Sequence, residues 1–323
     1  MEDIRLAIDV ESGDYGPRVV ISGLLEARRT SKVPFSALLC GERNRIEKIL
    51  HEEAAGESLD NFEIIHCSES ISPLDKRARV WRKKADSSIV RCIGLQKEGV
   101  ADASVSAGDT AILLGAALFI LGRAEGATRP ALAALLPTVK HKPVLLLDVG
   151  ANLNCRSEHL VSFALMGHDY LTRYLQNKSA VTTLLNIGKE PIKGPRVVCD
   201  AGAILEKRCS NYSGFIEGNG VLSGEADIVV CDGFAGNILL KACESFHVLV
   251  KSMLGKKTDS IKNHMAVLDP ENYGAVPFLG IRGTVLKAHG GSSSKAIANA
   301  ILAAIKAVET DAVWSRAMRP KGI

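Results

Sequence analysis

The sequence predicts an α/β fold built on an open, doubly wound parallel sheet. Short, almost continuous apolar runs recur along the 323 residues, and helix-length amphipathic stretches lie between them. Strands that are apolar throughout are typical of parallel sheets covered on both faces. Their alternation with helices favours a doubly wound arrangement, in which ligands bind at the carboxyl ends of the strands.

Each predicted strand ends in a glycine or polar turn. The predicted strands are residues 4–10, 144–149, 181–187 and 228–231. The predicted helices are residues 17–29, 110–121, 157–175, 237–250 and 294–309. No internal repeat or long linker interrupts the chain, so we predict a single domain over residues 1–323. Residues 251–272 are predicted to form a surface helical excursion, either a solvated connection or an amphipathic lip that touches a membrane or partner.

The composition excludes several classes of protein. Hydrophobic residues at 46% and charged residues at 24% are ordinary globular values, unlike those of disordered or coiled-coil chains. A net charge of +4 is too weak to indicate nucleic-acid binding. The longest apolar stretch is shorter than a membrane span, and no signal peptide is recognised. We expect a cytoplasmic protein, attached to a membrane at most peripherally, whose eight cysteines are reduced thiols and not metal ligands.

The turn at residues 105–111 places small hydroxyl residues between a strand and a helix. Ser106, Gly108 and Thr110 are predicted to bind an anion, because free N–H groups at a helix start attract negative charge. The alternative is a simple turn whose helix is capped by Asp109 or Thr110.

Three further turns carry carboxylates and amides. Asp148 is predicted to orient a donor or to accept a proton, and Asn152 offers an amide or caps the next helix. Asn186 lies beyond the third strand, and Asp232 and Asn237 follow the fourth. If these turns converge, they line one polar pocket.

Residues 287–295 form the last candidate turn. Gly290, Ser292 and Ser293 are predicted to form an N–H-lined nest before the last helix, and Lys287 or His289 to donate to an anion. The sequence has no nucleophile elbow, phosphate loop of the GxxxxGK[ST] type or dinucleotide fingerprint. No cofactor is therefore predicted, and the remaining chemistry is phosphate binding beside a carbonyl that becomes an oxyanion.

An ordered set of motifs along nearly the whole chain carries a family resemblance. The motifs are Ile8-Asp9 with Gly13-Asp14, Val105-Ser-Ala-Gly108, Arg129-Pro-Ala-Leu-Ala-Ala-Leu-Leu-Pro-Thr138, Asp148-Val-Gly-Ala-Asn152, Leu184-Leu-Asn-Ile-Gly188, Val229-Val-Cys-Asp-Gly-Phe234, Gly236-Asn237 and Lys287-Ala-His-Gly290. With these motifs the sequence resembles the acyl-carrier-protein-dependent phosphate acyltransferases of bacterial phospholipid synthesis. The resemblance implies a homodimer and a three-layer Rossmann-like fold related to the isopropylmalate and isocitrate dehydrogenases.

The chain departs from the family pattern at three places. Tyr15 stands where the family has a histidine, and the same turn has one glycine fewer. Asp109 replaces an asparagine, and Lys189 an acidic residue. An ionised Asp109 would repel phosphate, so we expect it to cap the helix or to face a cation.

The resemblance implies transfer of a long-chain acyl group from acyl carrier protein to inorganic phosphate, giving the acyl phosphate used to acylate glycerol 3-phosphate. The predicted phosphate-binding residues are Ser106, Gly108, Thr110, His289, Gly290, Ser292 and Ser293. Asn152, Asn186, Asn237 and Lys287 are candidate oxyanion donors, and Asp148 and Asp232 are candidate orienting groups. Phosphate is expected to attack the thioester directly, so the protein has only to position it and stabilise the oxyanion.

Two basic segments are predicted to contact the acidic carrier or an anionic membrane, and a downstream acyltransferase is a further expected partner. The residues are Arg82, Lys83, Lys84, Lys256 and Lys257. Three other functions stay open: a short-chain phosphate acyltransferase using coenzyme A, a nicotinamide-dependent dehydrogenase and a non-catalytic scaffold. The clustered aspartates and arginine clamp of the dehydrogenases are not recognised in the sequence.

Overall fold

The computed structural model describes residues 3–54, 56–72, 75, 79–254 and 275–310. These residues form two compact units, each an α/β arrangement. Unit 1 comprises residues 1–124 and 274–323, and unit 2 comprises residues 125–273. The prediction of a single domain stays a prediction. The predicted excursion at 251–272 falls largely on residues 255–274, which lie outside the described residues.

Unit 1 contains six strands and five helices within its described residues. The strands are β1 (Ile4–Asp9), β2 (Phe35–Gly41), β3 (Phe62–His66), β4 (Ala103–Ser106), β10 (Val276–Leu279) and β11 (Thr284–Lys287). The helices are α1 (Pro17–Thr30), α2 (Arg43–Glu53), α3 (Ser88–Lys97), α4 (Thr110–Ile120) and α8 (Ser294–Glu309), with a 3-10 turn at Val80–Arg82. The strand order is β3-β2-β1-β4-β11-β10, and only β10 is antiparallel to its neighbour β11.

Both faces of the unit 1 sheet are covered, because alternate residues of a strand point to opposite faces. Leu6 and Ile8 of β1 belong to a buried cluster with Ile301 of α8 and with residues of α1 and α2. Ala7, between them, belongs to a second cluster with Cys92 of α3. This is the doubly wound arrangement that the apolar strands predict.

Unit 2 repeats the pattern over residues 125–254 of its described chain. Its strands are β5 (Ala131–Leu136), β6 (Val144–Leu147), β7 (Thr182–Leu185), β8 (Tyr212–Ile216) and β9 (Ile228–Val230). Its helices are α5 (Ser157–Tyr174), α6 (Arg196–Arg208) and α7 (Gly233–Leu254), with a 3-10 turn at Gly218–Ser223. The order is β5-β6-β9-β7-β8, with only β5 antiparallel.

All four predicted strands and all five predicted helices are present. The last helix has the predicted bounds, Ser294–Glu309. Helix α7 starts at Gly233 and not at Asn237, because the Asp232 carboxylate accepts a hydrogen bond from the Ala235 N–H at 2.8 Å and caps the helix there. The α/β fold class is confirmed.

Candidate functional site

Three turns of unit 1, each following a strand, meet at one end of its sheet. The Asp14 N–H of the turn after β1 donates to the Gly290 carbonyl of the turn after β11 at 2.8 Å. Gly13 has a φ of +108°, and a Cβ there would lie 3.2 Å from the Ala107 Cβ of the turn after β4. Residues of all three turns line a shallow hollow of about 10 Å³, space for a single water molecule, that opens to solvent. The predicted convergence of the 105–111 and 287–295 turns is therefore found within this unit.

A buried carboxylate that the sequence analysis did not single out lies beneath these turns. Asp9, at the end of β1, is 1% exposed and accepts a hydrogen bond from the Ser106 Oγ at 2.5 Å. Burial raises the pKa of Asp9 above its usual range, while hydrogen bonds from Ser106, Ser12 and Ser88 lower it by less. The signal was present in the sequence, since Asp9 ends the first apolar run.

Ser106 and Gly108 do not offer donors to an anion, contrary to the prediction. The Ser106 hydroxyl hydrogen goes to Asp9, and its oxygen accepts from the Gly108 N–H at 3.0 Å. Both residues are buried. Their polar groups hold the turn, because a buried donor is already satisfied inside the protein.

The start of α4 is capped by its own side chain. Asp109 Oδ1 accepts from the Ala111 and Ile112 N–H groups at 2.9 and 3.0 Å. The expectation that Asp109 caps the helix is confirmed. The prediction that free N–H groups there attract phosphate is corrected, since a carboxylate already occupies two of them. Thr110, half-buried beside this cap, keeps its predicted role as a prediction.

Several polar groups of the predicted nest after β11 form hydrogen bonds within the protein. His289 is exposed, and its Nδ1 accepts from the Gly291 N–H at 3.1 Å. Its carbonyl accepts from the Ser292 N–H at 3.1 Å. Ser293 caps α8 by accepting from the Ala296 N–H at 3.3 Å. The hollow is lined here by Gly290 and Ser292.

The Lys287 side chain is buried, unlike most lysines. It is 8% exposed, and its ammonium donates to the Ala288 carbonyl. Its role as an anion donor stays a prediction.

The turn after β1 carries the Gly13-Asp14 motif, but no phosphate-binding residue was predicted in it. Ser12, Gly13, Tyr15 and Gly16 all line the hollow. Gly16 leads into α1, whose first residue is Pro17, and no side chain caps this helix. An uncapped helix start leaves N–H groups and the positive end of the helix dipole for an anion.

In unit 2, Asp148 is the centre of a closed ring of hydrogen bonds. The carboxylate is 0% exposed. Its Oδ1 accepts from the N–H groups of Leu132, Gly150 and Ala151 at 3.0 to 3.2 Å. Its Oδ2 accepts from the backbone N–H and side-chain amide of Asn152 at 2.7 and 2.8 Å. The Asp148 carboxylate therefore holds this turn in place, and its role as an orienting group in the reaction stays a prediction.

The proposal that Asp148 accepts a proton is not supported by this geometry. Burial raises the pKa of its carboxyl above the usual range, and the N–H donors lower it by less. Five donors nevertheless occupy its oxygens, so no acceptor position faces a substrate.

Asn152 is not an oxyanion donor in this structure. One amide hydrogen goes to Asp148, and the other to the Pro130 carbonyl at 2.7 Å. The Asn152 carbonyl accepts from the Gly233 N–H at 2.7 Å. Both hydrogens of its amide are used, and the residue joins the 148–152 turn to the 232–237 turn.

The other two asparagines differ in exposure. Asn186 is 7% exposed, and its amide donates to the Lys193 carbonyl at 2.8 Å beneath the loop that follows β7. Asn237 is exposed on the first turn of α7. A Cβ placed on Gly150 would lie 3.7 Å from the Asn237 Oδ1. Within the described part of the chain the Asn237 amide makes no hydrogen bond, so it can still donate to a substrate.

The cations of the basic segment near residue 80 differ in their contacts and exposure. Lys84 donates to Asp75 Oδ2 at 2.6 Å and to the Ser70 carbonyl at 2.8 Å, and the hydrogen bond with Lys84 is the main cause that lowers the Asp75 pKa. Arg82 and Lys83 are exposed. Lys256 and Lys257 lie outside the described residues.

Among the helices described here, none combines the length and the apolar character that a membrane span requires.

Comparisons with known proteins agree on the family. The profile of a family described as "Fatty acid synthesis protein" matches residues 4–315. A phosphate acyltransferase of Dictyoglomus turgidum is 37% identical over 323 residues, which cover 95% of each chain. A phosphate acyltransferase of Desulforamulus reducens is 39% identical over 95% of this chain and 94% of that protein.

Solved structures support the fold. A phosphotransacetylase from Streptococcus pyogenes has a TM-score of 0.64 at 17% identity, with 94% of both chains covered. A 4-hydroxythreonine-4-phosphate dehydrogenase from Klebsiella pneumoniae has a TM-score of 0.57 at 15% identity, covering 94% of this chain and 99% of that one. A dehydrogenase among these structures agrees with the predicted relation to dehydrogenase folds. By its match to the family profile and to curated relatives along nearly its whole length, the chain belongs to the phosphate acyltransferases of the fatty acid synthesis protein family.

Proposed function

We propose that this acyltransferase moves a long-chain acyl group from acyl carrier protein to inorganic phosphate. The products are an acyl phosphate, used for glycerol 3-phosphate acylation in phospholipid synthesis, and the free carrier thiol. The observation that carries the proposal is the meeting of three strand-end turns around a small polar hollow in unit 1. Turns built of glycines and serines suit phosphate at the open mouth of this hollow, because backbone and hydroxyl groups can approach the anion closely there.

Phosphate is held at the start of α1. The uncapped N–H groups after Gly16 and the residue Ser292 border the hollow, whereas the Ser12 hydroxyl is bonded to Asp9. Thr110 adds a hydroxyl from the neighbouring turn. An N-terminal helix dipole with hydroxyl donors is a sufficient anion site, and Asp109 does not oppose it, because that carboxylate is bonded to its own helix.

The reaction is a direct displacement. A phosphate oxygen forms a bond to the thioester carbonyl carbon, the carbon–sulfur bond breaks, and the carrier leaves as a thiolate that takes a proton from water. Phosphate dianion is already a nucleophile near neutral pH, so positioning and oxyanion stabilisation account for the catalysis. Lys287, in the unit that contains the hollow, is the proposed oxyanion donor; Asn152 has no amide hydrogen left, and the role predicted for Asn237 stays a prediction.

The proposal extends to a cytoplasmic homodimer that contacts the membrane peripherally and passes acyl phosphate to a downstream acyltransferase. The family resemblance supports this arrangement. Sedimentation of the purified protein is expected to give twice the mass of one 34.5 kDa chain.

The activity is tested with purified protein, acyl-loaded carrier and phosphate. Acyl phosphate, trapped as a hydroxamate, should appear together with an equal amount of free carrier thiol. Higher kcat/KM with short-chain acyl-coenzyme A than with long-chain acyl carrier would instead identify a coenzyme A-dependent enzyme. No product with either donor would indicate a scaffold, and turnover of a nicotinamide substrate pair would contradict the acyltransferase mechanism.

A further inference from the structure

The solvent-facing side of α4 in unit 1 carries no charge. The helix, TAILLGAALFI, contains no charged residue. Leu118 and Phe119 are 40% and 65% exposed at its C-terminal end, and Ala111 is exposed near its start. These positions are spaced so that they lie along one side of the helix. A surface helix ordinarily presents polar residues to solvent, so this apolar stripe needs a partner.

Cations lie at the C-terminal end of the stripe. The Phe119 ring packs 4.9 Å from the ring of Trp81, which is buried in the 3-10 turn at residues 80–82. The Arg82 guanidinium lies 5.0 Å from the Phe119 ring and 5.1 Å from the Trp81 ring. This cation–π arrangement fixes Phe119 and Arg82 in place, so a partner would meet a preformed surface.

The charge of this surface is unbalanced. Arg79, Arg82 and Lys83 are exposed, and none of them forms an ion pair with any residue in the described ranges. The neighbouring acidic side chains pair with other residues. Asp75 forms an ion pair with Lys84. Asp86 accepts a hydrogen bond from the Ser68 hydroxyl at 2.7 Å and lies 3.8 Å from the Arg91 guanidinium. Three uncompensated positive charges beside an apolar stripe fit an acidic protein surface.

We propose that Arg79, Arg82, Lys83, Leu118 and Phe119, here called the α4 surface, dock the acidic carrier that delivers the acyl thioester. The inference rests on the proposed function and assigns a place to its partner. Helix α4 begins at Thr110, shortly after Ala107, which lines the hollow, and its 11 residues span about 16 Å. A flexible thioester arm extending from a carrier docked at Phe119 would follow the small apolar residues of α4 toward the hollow.

A protein fits this surface better than a lipid bilayer does. Among the described residues, the exposed cations near Phe119 occupy a single short turn, and the large apolar side chains exposed on α4 beside them are Leu118 and Phe119. Membrane-bound helices bury a larger apolar face flanked by cations along their length. The surface matches a short acidic segment of a folded partner.

The decisive experiment compares two donors on the full chain: long-chain acyl carrier protein, and the same acyl group on pantetheine, which lacks the carrier body. In the double variant Arg82→Glu with Lys83→Glu, the ratio of kcat/KM for the carrier donor to kcat/KM for the pantetheine donor should fall about tenfold or more. The loss should come from a higher KM for the carrier. An unchanged ratio overturns the proposal, including the case in which both donors slow equally.

The matched control is Lys48→Glu combined with Lys32→Glu, because both lysines are exposed in the same unit and the pair reverses two charges outside the α4 surface. Its donor ratio should equal that of the unaltered protein. If this control lowers the ratio as much as Arg82→Glu with Lys83→Glu does, net charge alone accounts for the effect and the docking surface is wrong.

Phe119→Ala tests the apolar part without changing charge. We expect the affinity of acyl-free carrier, measured by fluorescence anisotropy, to fall several-fold, whereas carrier binding as tight as that of the unaltered protein would overturn the role of Phe119. Anisotropy needs no turnover, so failure of the acyl-transfer reaction and failure of docking are separately visible. Vesicles containing anionic lipid should bind the double variant and the unaltered protein equally, and a selective loss of vesicle binding would assign the surface to the membrane instead.

Discussion

The turns at the strand ends of the two units use similar residues in opposite ways. In unit 2, one buried carboxylate, Asp148, accepts five hydrogen bonds and closes its turn. In unit 1, the buried carboxylate Asp9 accepts from the Ser106 hydroxyl, and the surrounding turns leave a hollow. The turn in unit 2 is closed by its own hydrogen bonds, whereas the turns in unit 1 leave a small hollow open to solvent.

The difference shows that residue type at a strand end does not distinguish a binding turn from a supporting one. What distinguishes them is the number of donors still free once the chain has folded. Asp, Asn and Gly in unit 2 satisfy one another, whereas the start of α1 in unit 1 has no capping side chain.

The largest effect is expected from Asp148→Ala, which removes the centre of the closed turn. Five N–H donors would lose their acceptor in a buried place, so the free energy of unfolding should fall by about 3–5 kcal/mol. Asp232→Asn is the control. Asparagine caps a helix as well as aspartate does, so this change should lower the free energy of unfolding by less than about 1 kcal/mol. Urea unfolding measures both. Equal stability of the two variants would show that the Asp148 ring is not the support described above.

Gly236→Ala tests the same support through close packing. A Cβ at Gly236 would lie 1.9 Å from the Asp148 carbonyl oxygen, so α7 or the turn must shift, at a cost of about 1–3 kcal/mol. Gly218→Ala is the matched control, since no atom lies within 4 Å of its Cβ position, and its stability should change by less than about 1 kcal/mol. Thermal unfolding that ranks Gly218→Ala as the more damaging change would refute the close approach.

The affinity for phosphate tests the turns that line the hollow in unit 1. Ser292→Ala removes a hydroxyl that lines the hollow, and we expect KM for phosphate to rise about tenfold, since a hydrogen bond to a charged group contributes about 1.5 kcal/mol or more. Thr30→Val, at the far end of α1, is the control and should leave that KM unchanged. Steady-state kinetics with varied phosphate decide the point. A rise confined to the KM for the acyl donor would place phosphate elsewhere.

The smallest effect concerns pH. Burial raises the folded-state pKa of Asp9 above its ordinary value of 3.8, so the folded protein holds this proton more tightly than the unfolded chain does. The stabilisation that protonated Asp9 contributes is therefore present at low pH and lost as pH rises through the raised pKa. The Asp9→Asn variant has no carboxyl group to lose a proton at this position. Its free energy of unfolding should therefore decline less than that of the unaltered protein between pH of about 4 and about 7. Urea midpoints across that range provide the measurement, and parallel profiles would contradict the raised pKa.

Most of the fold could be predicted from the sequence because it depends on local patterns. The apolar run ending at Asp9 and the amphipathic helix at Ser294–Glu309 need only neighbouring residues to be recognised. The start of α7 was missed because Asp232 acts as a cap only when the Ala235 N–H reaches it.

The candidate site was less predictable because its bonds join distant parts of the chain. Ser106 is unavailable to an anion because of Asp9, 97 residues earlier, and Asn152 because of Pro130, 22 residues earlier. Such pairings have no local signature. Ser12 and Gly16 could have been found from the Gly13-Asp14 motif and the helix-starting Pro17, which indicate a turn leading into an uncapped helix.

Unit 1 is built from two separate stretches of the chain, residues 1–124 and 274–323, so it is completed only after the second stretch has been synthesised. Strand β11 pairs with β4, and Gly290, Ser292 and Ile297 complete the lining of the hollow. Strand β11 and the residues Gly290, Ser292 and Ile297 are synthesised after the whole of unit 2, residues 125–273. A nascent chain released before residue 290 would have made Asp9, Ser12 and Gly16 but would lack the third turn around them. The lining of the hollow is therefore completed only when residues 290–297 have been synthesised, near the end of the chain.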